Sequence, residues 1–348
     1  MIASHRHKKL GFVTKIFNRI SEIPPEEWNK VYPNVLESYD FFKTLDESNL
    51  EQFSLIYLMV YKGSNPVAAT TCFLLNYSLD TSINGPLRRI TNSIRKRMPN
   101  IFNIKAVVCG VPICDGKMGI AEKSDEILSA MLRRMERIAR KNKAAVIAFK
   151  DFGQAYTKIL EPLKKTGFTK FNGLPATALN LRFKNFEEYL STLSGANRYD
   201  LRRKFKKVDG HVNIDLDITD DLKDDALQEV YKLYLNIVEK HDMGFELLTP
   251  DFFKNITKNM PGRAKYFLWR IDGKLVAFLL CLVSEDTLID YYVGLDYSIA
   301  HKYHLYFTKF RDVLNWCIKN NIKRYEMGIT GYEPKRRLGF TFRLYIFM

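Results

Sequence analysis

Apolar residues recur along this chain at two spacings, and these sort the sequence into helices and strands. Over residues 126–142, Ile127, Leu128, Met131, Leu132, Met135, Ile138 and Ala139 fall three and four apart, on one face of a helix. Arg133, Arg134, Arg137, Arg140 and Lys141 fall elsewhere and read as its solvated face. Two apolar runs at residues 53–76 flank Gly63-Ser64-Asn65-Pro66, the pattern of a β-hairpin, and a second hairpin over 265–283 turns at Asp272-Gly273. Strands are also expected at 13–20, 105–113, 144–149, 176–181, 211–218, 287–295 and 324–329. Helices are expected after Pro24-Pro25, at 39–47, at 156–168, as one long element at 185–208, near 226–240, at 250–259 and at 302–320. A basic turn, GYEPKRRLGF, follows the last strand.

The elements come twice in one order: helices, hairpin, strand, helix, strand. Aligning Val67-Ala68 with Val276-Ala277 also brings Cys72 onto Cys281, which favours duplication of one unit. The fold class expected is α/β of the α+β kind: two domains, each a mixed, mostly antiparallel sheet flanked by helices. The boundaries expected are 1–182 and 183–348, with a basic linking helix at about 186–208.

Composition agrees. The chain has 348 residues, 46% hydrophobic and 27% charged, enough for two cores and unlike a disordered chain. Lys and Arg number 54 against 39 Asp and Glu, a formal charge of +15 that favours an anionic partner: nucleic acid, a nucleotide-linked substrate, coenzyme A or a membrane surface. The five cysteines are odd in number and sit mostly in apolar runs, which reads as buried thiols in a reducing compartment. The first residues are basic without an apolar stretch behind them, and no run is long enough to span a bilayer. The expected location is the cytoplasm, with peripheral membrane contact left open.

Several chemistries lack their motifs. The chain contains no G-x-x-x-x-G-K-[ST], G-x-G-x-x-G, H-E-x-x-H or G-x-S-x-G. His301 and His304 have no third partner in the sequence, so no metal site is expected. Two basic clusters remain. On a helix, Arg198, Arg202 and Lys206 lie on one face, which suits either a diphosphate or nucleic-acid backbone or a solvated face pairing with the acids Asp220, Asp221, Asp224 and Asp225 downstream. A basic segment at 85–105 adds Arg88, Arg89, Arg95, Lys96, Arg97 and Lys105. In the second cluster, Tyr332, Lys335, Arg336 and Arg337 stand between Gly331 and Gly339, where glycines allow close approach of backbone to a ligand.

The run YHLYFTKFRDVLNWCIKNNIKRYEMG followed by ITGYEPKRRLGF resembles the end of FemABX-like and related GNAT-superfamily proteins, with Lys335 to Gly339 in the place of their K-x-x-x-G segment. SGANRYDLRRKFKKV resembles the basic helix between their two domains, and WNKVYPNVLESYDFFKTLDES resembles the start of GNAT-type proteins of peptidoglycan biosynthesis. The resemblance implies tandem GNAT domains that transfer an acyl or aminoacyl group to an amine. The implied donor is acyl-CoA or aminoacyl-tRNA, with no tightly bound cofactor; the implied acceptor is a nucleotide-linked or lipid-linked cell-envelope precursor. Acyl-CoA GNAT enzymes carry a glycine-rich [RQ]-x-x-G-x-[GA] loop before the central helix, whereas the matching place here reads YSIAHKYHLY. That departure leans toward the aminoacyl donor. It also keeps open a non-catalytic RNA- or nucleotide-binding protein on a degenerate GNAT scaffold. For direct attack by the amine, Glu326 or Asp290 are candidate bases, Tyr292 or Tyr332 candidate acids for the leaving group, and Lys335 a stabiliser of negative charge. Arg198, Arg202, Lys206, Arg336 and Arg337 are the candidate phosphate or substrate grips. Asp290 and Tyr292 alternate with Tyr291 and equally read as one face of a strand.

Overall fold

The computed structural model describes residues 11–33, 35–50, 54–78, 97–98, 101–121, 125–241, 247–329 and 331–348. Most of the basic segment at 85–105, including Arg88, Arg89, Arg95 and Lys96, lies outside them. The chain forms two compact units: residues 1–39, 53–173 and 346–348 make the first, and residues 40–52 and 174–345 the second.

The first unit begins with β1 (Phe12–Phe17) and α1 (Pro25–Val31), whose first-turn proline and acids suit a helix start. Helix α2 (Tyr39–Asp46) belongs to the second unit beyond its first residue. Strands β2 (Leu55–Lys62), β3 (Asn65–Ser78) and β4 (Asn103–Cys109) follow, β2 and β3 forming the expected hairpin. Then come β5 (Met118–Ile120), α3 (Asp125–Asn142), β6 (Val146–Phe149) and β7 (Phe152–Gly153). The sheet order is β1-β2-β3-β4-β6, antiparallel except for β4 and β6, which α3 connects as a parallel pair. Every apolar residue predicted on the inner face of α3 is buried, while Arg133, Arg137, Arg140 and Lys141 are exposed. The helix expected at 156–168 is broken into α4 (Thr157–Leu160) between 3-10 turns, with Pro162 in the second of them. Strand β8 (Phe171–Asn172) ends this stretch.

In the second unit the order is β9 (Ala176–Asn180), α5 (Phe186–Thr192), α6 (Gly195–Asp209), β10 (Asp215–Thr219), α7 (Asp224–His241), α8 (Pro250–Asn259), β11 (Ala264–Ile271), β12 (Lys274–Val283) and β13 (Thr287–Leu295). It continues through α9 (Tyr297–Ala300), α10 (Leu305–Lys319), β14 (Arg324–Met327), α11 (Tyr332–Arg337) and β15 (Thr341–Arg343). The sheet runs β10-β11-β12-β13-β14-β9-β15 and is antiparallel except for β13 and β14, again joined by a helix, α10. Strand β12 is covered on both faces, which explains its unbroken apolar run. One face packs against α5, α6 and α10, and the other against aromatic residues of α7 and α8 such as Tyr234 and Phe253.

The mixed, mostly antiparallel sheets flanked by helices are as expected. Local differences have local causes. The helix predicted over 185–208 is two, because Ser194 adopts an extended backbone and caps α6 by accepting from the Asn197 amide at 3.3 Å, with Gly195 next in line. The helix expected at 302–320 starts at Leu305, since His304 stands at φ 46 in the left-handed region. The units are not contiguous halves. Strand β9 lies between β14 and β15, and β16 (Tyr345–Phe347) pairs with β7 and β8. Phe149 and Met348 exchange backbone hydrogen bonds of 2.6 and 2.9 Å.

Candidate active site

The second unit's parallel strands β13 and β14 pair from Thr287↔Arg324 to Asp290↔Met327 and no further. Strand β14 ends there, and β13 is bulged: Cys281 faces Asp290 while Leu280 faces Tyr292, so Tyr291 is the extra residue. The bulge cancels the alternation that puts residues two apart on one face. Asp290 turns toward α10, whereas Tyr292 joins Tyr234, Phe252 and Phe253 on the opposite side, its ring edge-on to all three. The reading of Asp290 and Tyr292 as one strand face is therefore corrected.

Where the strands stop pairing, polar groups gather inside the core. Lys309 of α10 donates to Asp290 at 2.7 Å, and their side chains are only 1% and 8% exposed. Tyr325 of β14 donates to the same Asp290 oxygen at 3.3 Å. Lys335 of α11 is buried and donates to the carbonyl oxygens of Met327, Gly328 and Ile329 at 2.9, 3.0 and 3.4 Å. Thr177 of β9 donates to the Met327 and Gly328 carbonyls as well. Burial pulls the Lys335 ammonium down to about 8; Asp290 opposes that shift and Lys309 reinforces it. A lysine so placed gives up its proton more readily than a surface lysine, and its charge is less screened than in water.

The segment expected as a basic turn is α11. Gly331 and Gly339, at φ 58 and 81, start and stop this helix rather than opening backbone to a ligand. Within it, Lys335 points inward, while Arg336 and Arg337 point outward and both pair with Glu333. Tyr332 stacks obliquely on Phe342 with ring centroids 5.5 Å apart, and its hydroxyl is buried with no hydrogen-bond partner among the described residues. Glu326 is not brought to this cluster: it alternates with buried Tyr325 on β14 and pairs with Arg324 and, at 2.8 Å, with Arg343. The proposed grip on α6 is also partly occupied. Arg202 pairs with Glu187 of α5 at 2.5 Å, Arg198 reaches the Ser191 carbonyl at 3.3 Å, and Lys206 is exposed. The downstream acids serve elsewhere, Asp220 against Lys265 and Asp224 against Lys254.

Lys309, Tyr306, Tyr325 and Thr177 were not among the residues singled out from the sequence. One signal did exist. Leu305, Phe310, Val313, Leu314 and Cys317 define the apolar stripe of α10, and Lys309 falls on it.

The FemAB-like family model, described as peptidoglycan biosynthesis/recognition, matches residues 19–344. A Mycobacterium tuberculosis (strain CDC 1551 / Oshkosh) protein provisionally named 8-amino-7-oxononanoate synthase 2 is 22% identical over 309 residues, which are 86% of this chain and 40% of that protein. The chain thus spans about 40% of the length of the curated relatives it matches. Among solved structures, FemX superposes with a TM-score of 0.58 at 12% identity, covering 96% of each chain. A tandem GNAT protein from the clavulanic acid biosynthesis pathway superposes with a TM-score of 0.54 at 10% identity, covering 97% of each. These likenesses are of fold. With the family model matched over nearly the whole chain, the chain belongs to the FemAB-like family.

Proposed function

We propose that this protein transfers an acyl or aminoacyl group to an amine of a peptidoglycan-related precursor, at the polar cluster between β13 and β14. The observation that carries the reading is the buried Asp290–Lys309 pair beside Lys335, at the point where two parallel strands stop pairing. Buried charges are retained against a desolvation cost, and groups with displaced proton affinities gather where chemistry is done. In this reading Asp290 accepts the proton that the attacking amine must lose, with Lys309 and Tyr325 fixing the carboxylate. Lys335 sits near enough to its own titration point to protonate the leaving oxygen or sulfur. The new C–N bond forms as the donor's ester or thioester bond breaks, so one proton leaves the amine and one reaches the leaving group.

The donor is aminoacyl-tRNA or acyl-CoA. The segment before α10 folds as α9 and a turn without glycine, which offers fewer open backbone amides to a pyrophosphate and favours the aminoacyl donor. The acceptor is a nucleotide-linked or lipid-linked muramyl peptide. The test is a panel of acetyl-CoA, longer acyl-CoAs, charged tRNA and UDP-muramyl peptide. A true ligand raises the melting temperature as its concentration passes its dissociation constant, and a true donor–acceptor pair yields the amide product. No shift and no product with every combination would overturn the proposal.

A further inference from the structure

We infer that Tyr306, on the first turn of α10, supplies the hydroxyl that stabilises the carbonyl oxygen of the acyl donor in this site. The inference rests on the transfer reading above and adds to it a residue that neither the sequence nor the family pattern singled out. Tyr306 Oη is buried and has no hydrogen-bond partner among the described residues. A buried hydroxyl without a partner costs free energy relative to phenylalanine in the same place, so it is a donor available to a bound group. Its neighbours say where the missing partner belongs. The Lys309 ammonium lies 5.8 Å from the Tyr306 ring centroid, and Lys309 is the group that holds Asp290. Burial, with the Asp290 charge second, holds the phenol well above its ordinary range, so it stays protonated as a donor.

Tyr332 of α11 also has a buried hydroxyl without a partner among the described residues, but its ring packs on Phe342 with centroids 5.5 Å apart. Tyr325 is committed to Asp290, and Tyr292 faces the aromatic layer across the sheet. In the reaction the amine nitrogen bonds to the acyl carbon and the carbonyl oxygen gains negative charge. Tyr306 Oη–H donates a hydrogen bond to that oxygen and keeps its own proton; when the tetrahedral species collapses, the ester or thioester bond breaks and the oxygen returns to a carbonyl.

The test is Tyr306→Phe in the full chain, assayed with charged tRNA and with acetyl-CoA as donors and UDP-muramyl peptide as acceptor. The expected result is a fall in kcat of about 100-fold with KM changed less than about two-fold. The melting temperature should equal or exceed that of the unaltered protein, because the change removes an unpaired buried hydroxyl and keeps the ring. Turnover within about two-fold of the unaltered protein, or a lowered melting temperature revealing a hydroxyl already bonded within the fold, would falsify the role of Tyr306 and leave the transfer reading standing. Absence of transfer by the unaltered protein with either donor would remove both.

Discussion

Each unit joins two parallel strands through a helix, and the two helices differ in what they bury. In the first, α3 lays Ile127, Leu128, Met131, Leu132, Met135 and Ile138 against β4 and β6, and its inner face is plain core. In the second, α10 lays Leu305, Phe310, Val313 and Leu314 against the sheet in the same manner but carries Lys309 among them, with Asp290 opposite. The first arrangement follows from the hydrophobic effect alone. The second holds an ion pair that apolar residues of similar volume would replace at little or no loss of stability. The same helix connection thus carries plain packing in one unit and a buried ion pair in the other, and the proposed chemistry is assigned to the second.

The largest expected effect tests that contrast directly. Asp290→Ala leaves the Lys309 ammonium buried without its carboxylate and should destabilise the second unit by about 3–5 kcal/mol, read by denaturant unfolding. The paired replacement Asp290→Leu with Lys309→Met should restore stability to within about 1–2 kcal/mol while abolishing transfer; a pair as unstable as Asp290→Ala alone would mean that shape, not charge, governs the site. In the first unit, Met131→Ala should cost about 2–4 kcal/mol through cavity formation and leave KM and kcat unchanged when measured well below the melting temperature.

Lys335 gives a pH signature of known sign. Its folded titration near 8 lies below the ordinary lysine value of 10.5, so between these values the unfolded chain binds more protons than the folded one. Stability relative to Lys335→Met should therefore rise as pH goes from about 8 toward 10.5, and below 8 the cost of the buried ammonium is present in full. A difference between the two proteins that is flat from pH 7 to 10 would contradict the buried charge. The smallest effect is expected on the exposed Arg202–Glu187 pair, where Arg202→Ala should change stability by less than about 1 kcal/mol, and less still at high salt. A large loss of transfer there with unchanged stability would make α6 a substrate grip after all.

Much of the fold could be read in advance because period and turn chemistry are local. The inner face of α3, the hairpins at Gly63 and at Asp272-Gly273, and the final strand–helix–strand all follow from spacing. Lys335 was legible as a residue but not as a place. Glycines around a basic string read as an open turn, whereas their positive φ values bound a helix that turns the lysine into the core. Asp290 was legible and its partner was not, since nothing local tells that a lysine on α10 will meet an aspartate 19 residues earlier.

By itself the sequence determined the alternation of elements, their amphipathic faces, the doubled order and the family likeness, because each depends on neighbours a few residues apart. Tertiary structure alone decided three things. A one-residue bulge sends Asp290 and Tyr292 to opposite faces of the sheet. Strand β9 crosses into the second sheet between β14 and β15 and brings Thr177 to the Met327 carbonyl. Burial converts Lys309 and Lys335 from ordinary surface cations into groups with fixed partners. Register, strand order and desolvation are properties of packed chains, and they act between residues that the sequence keeps far apart.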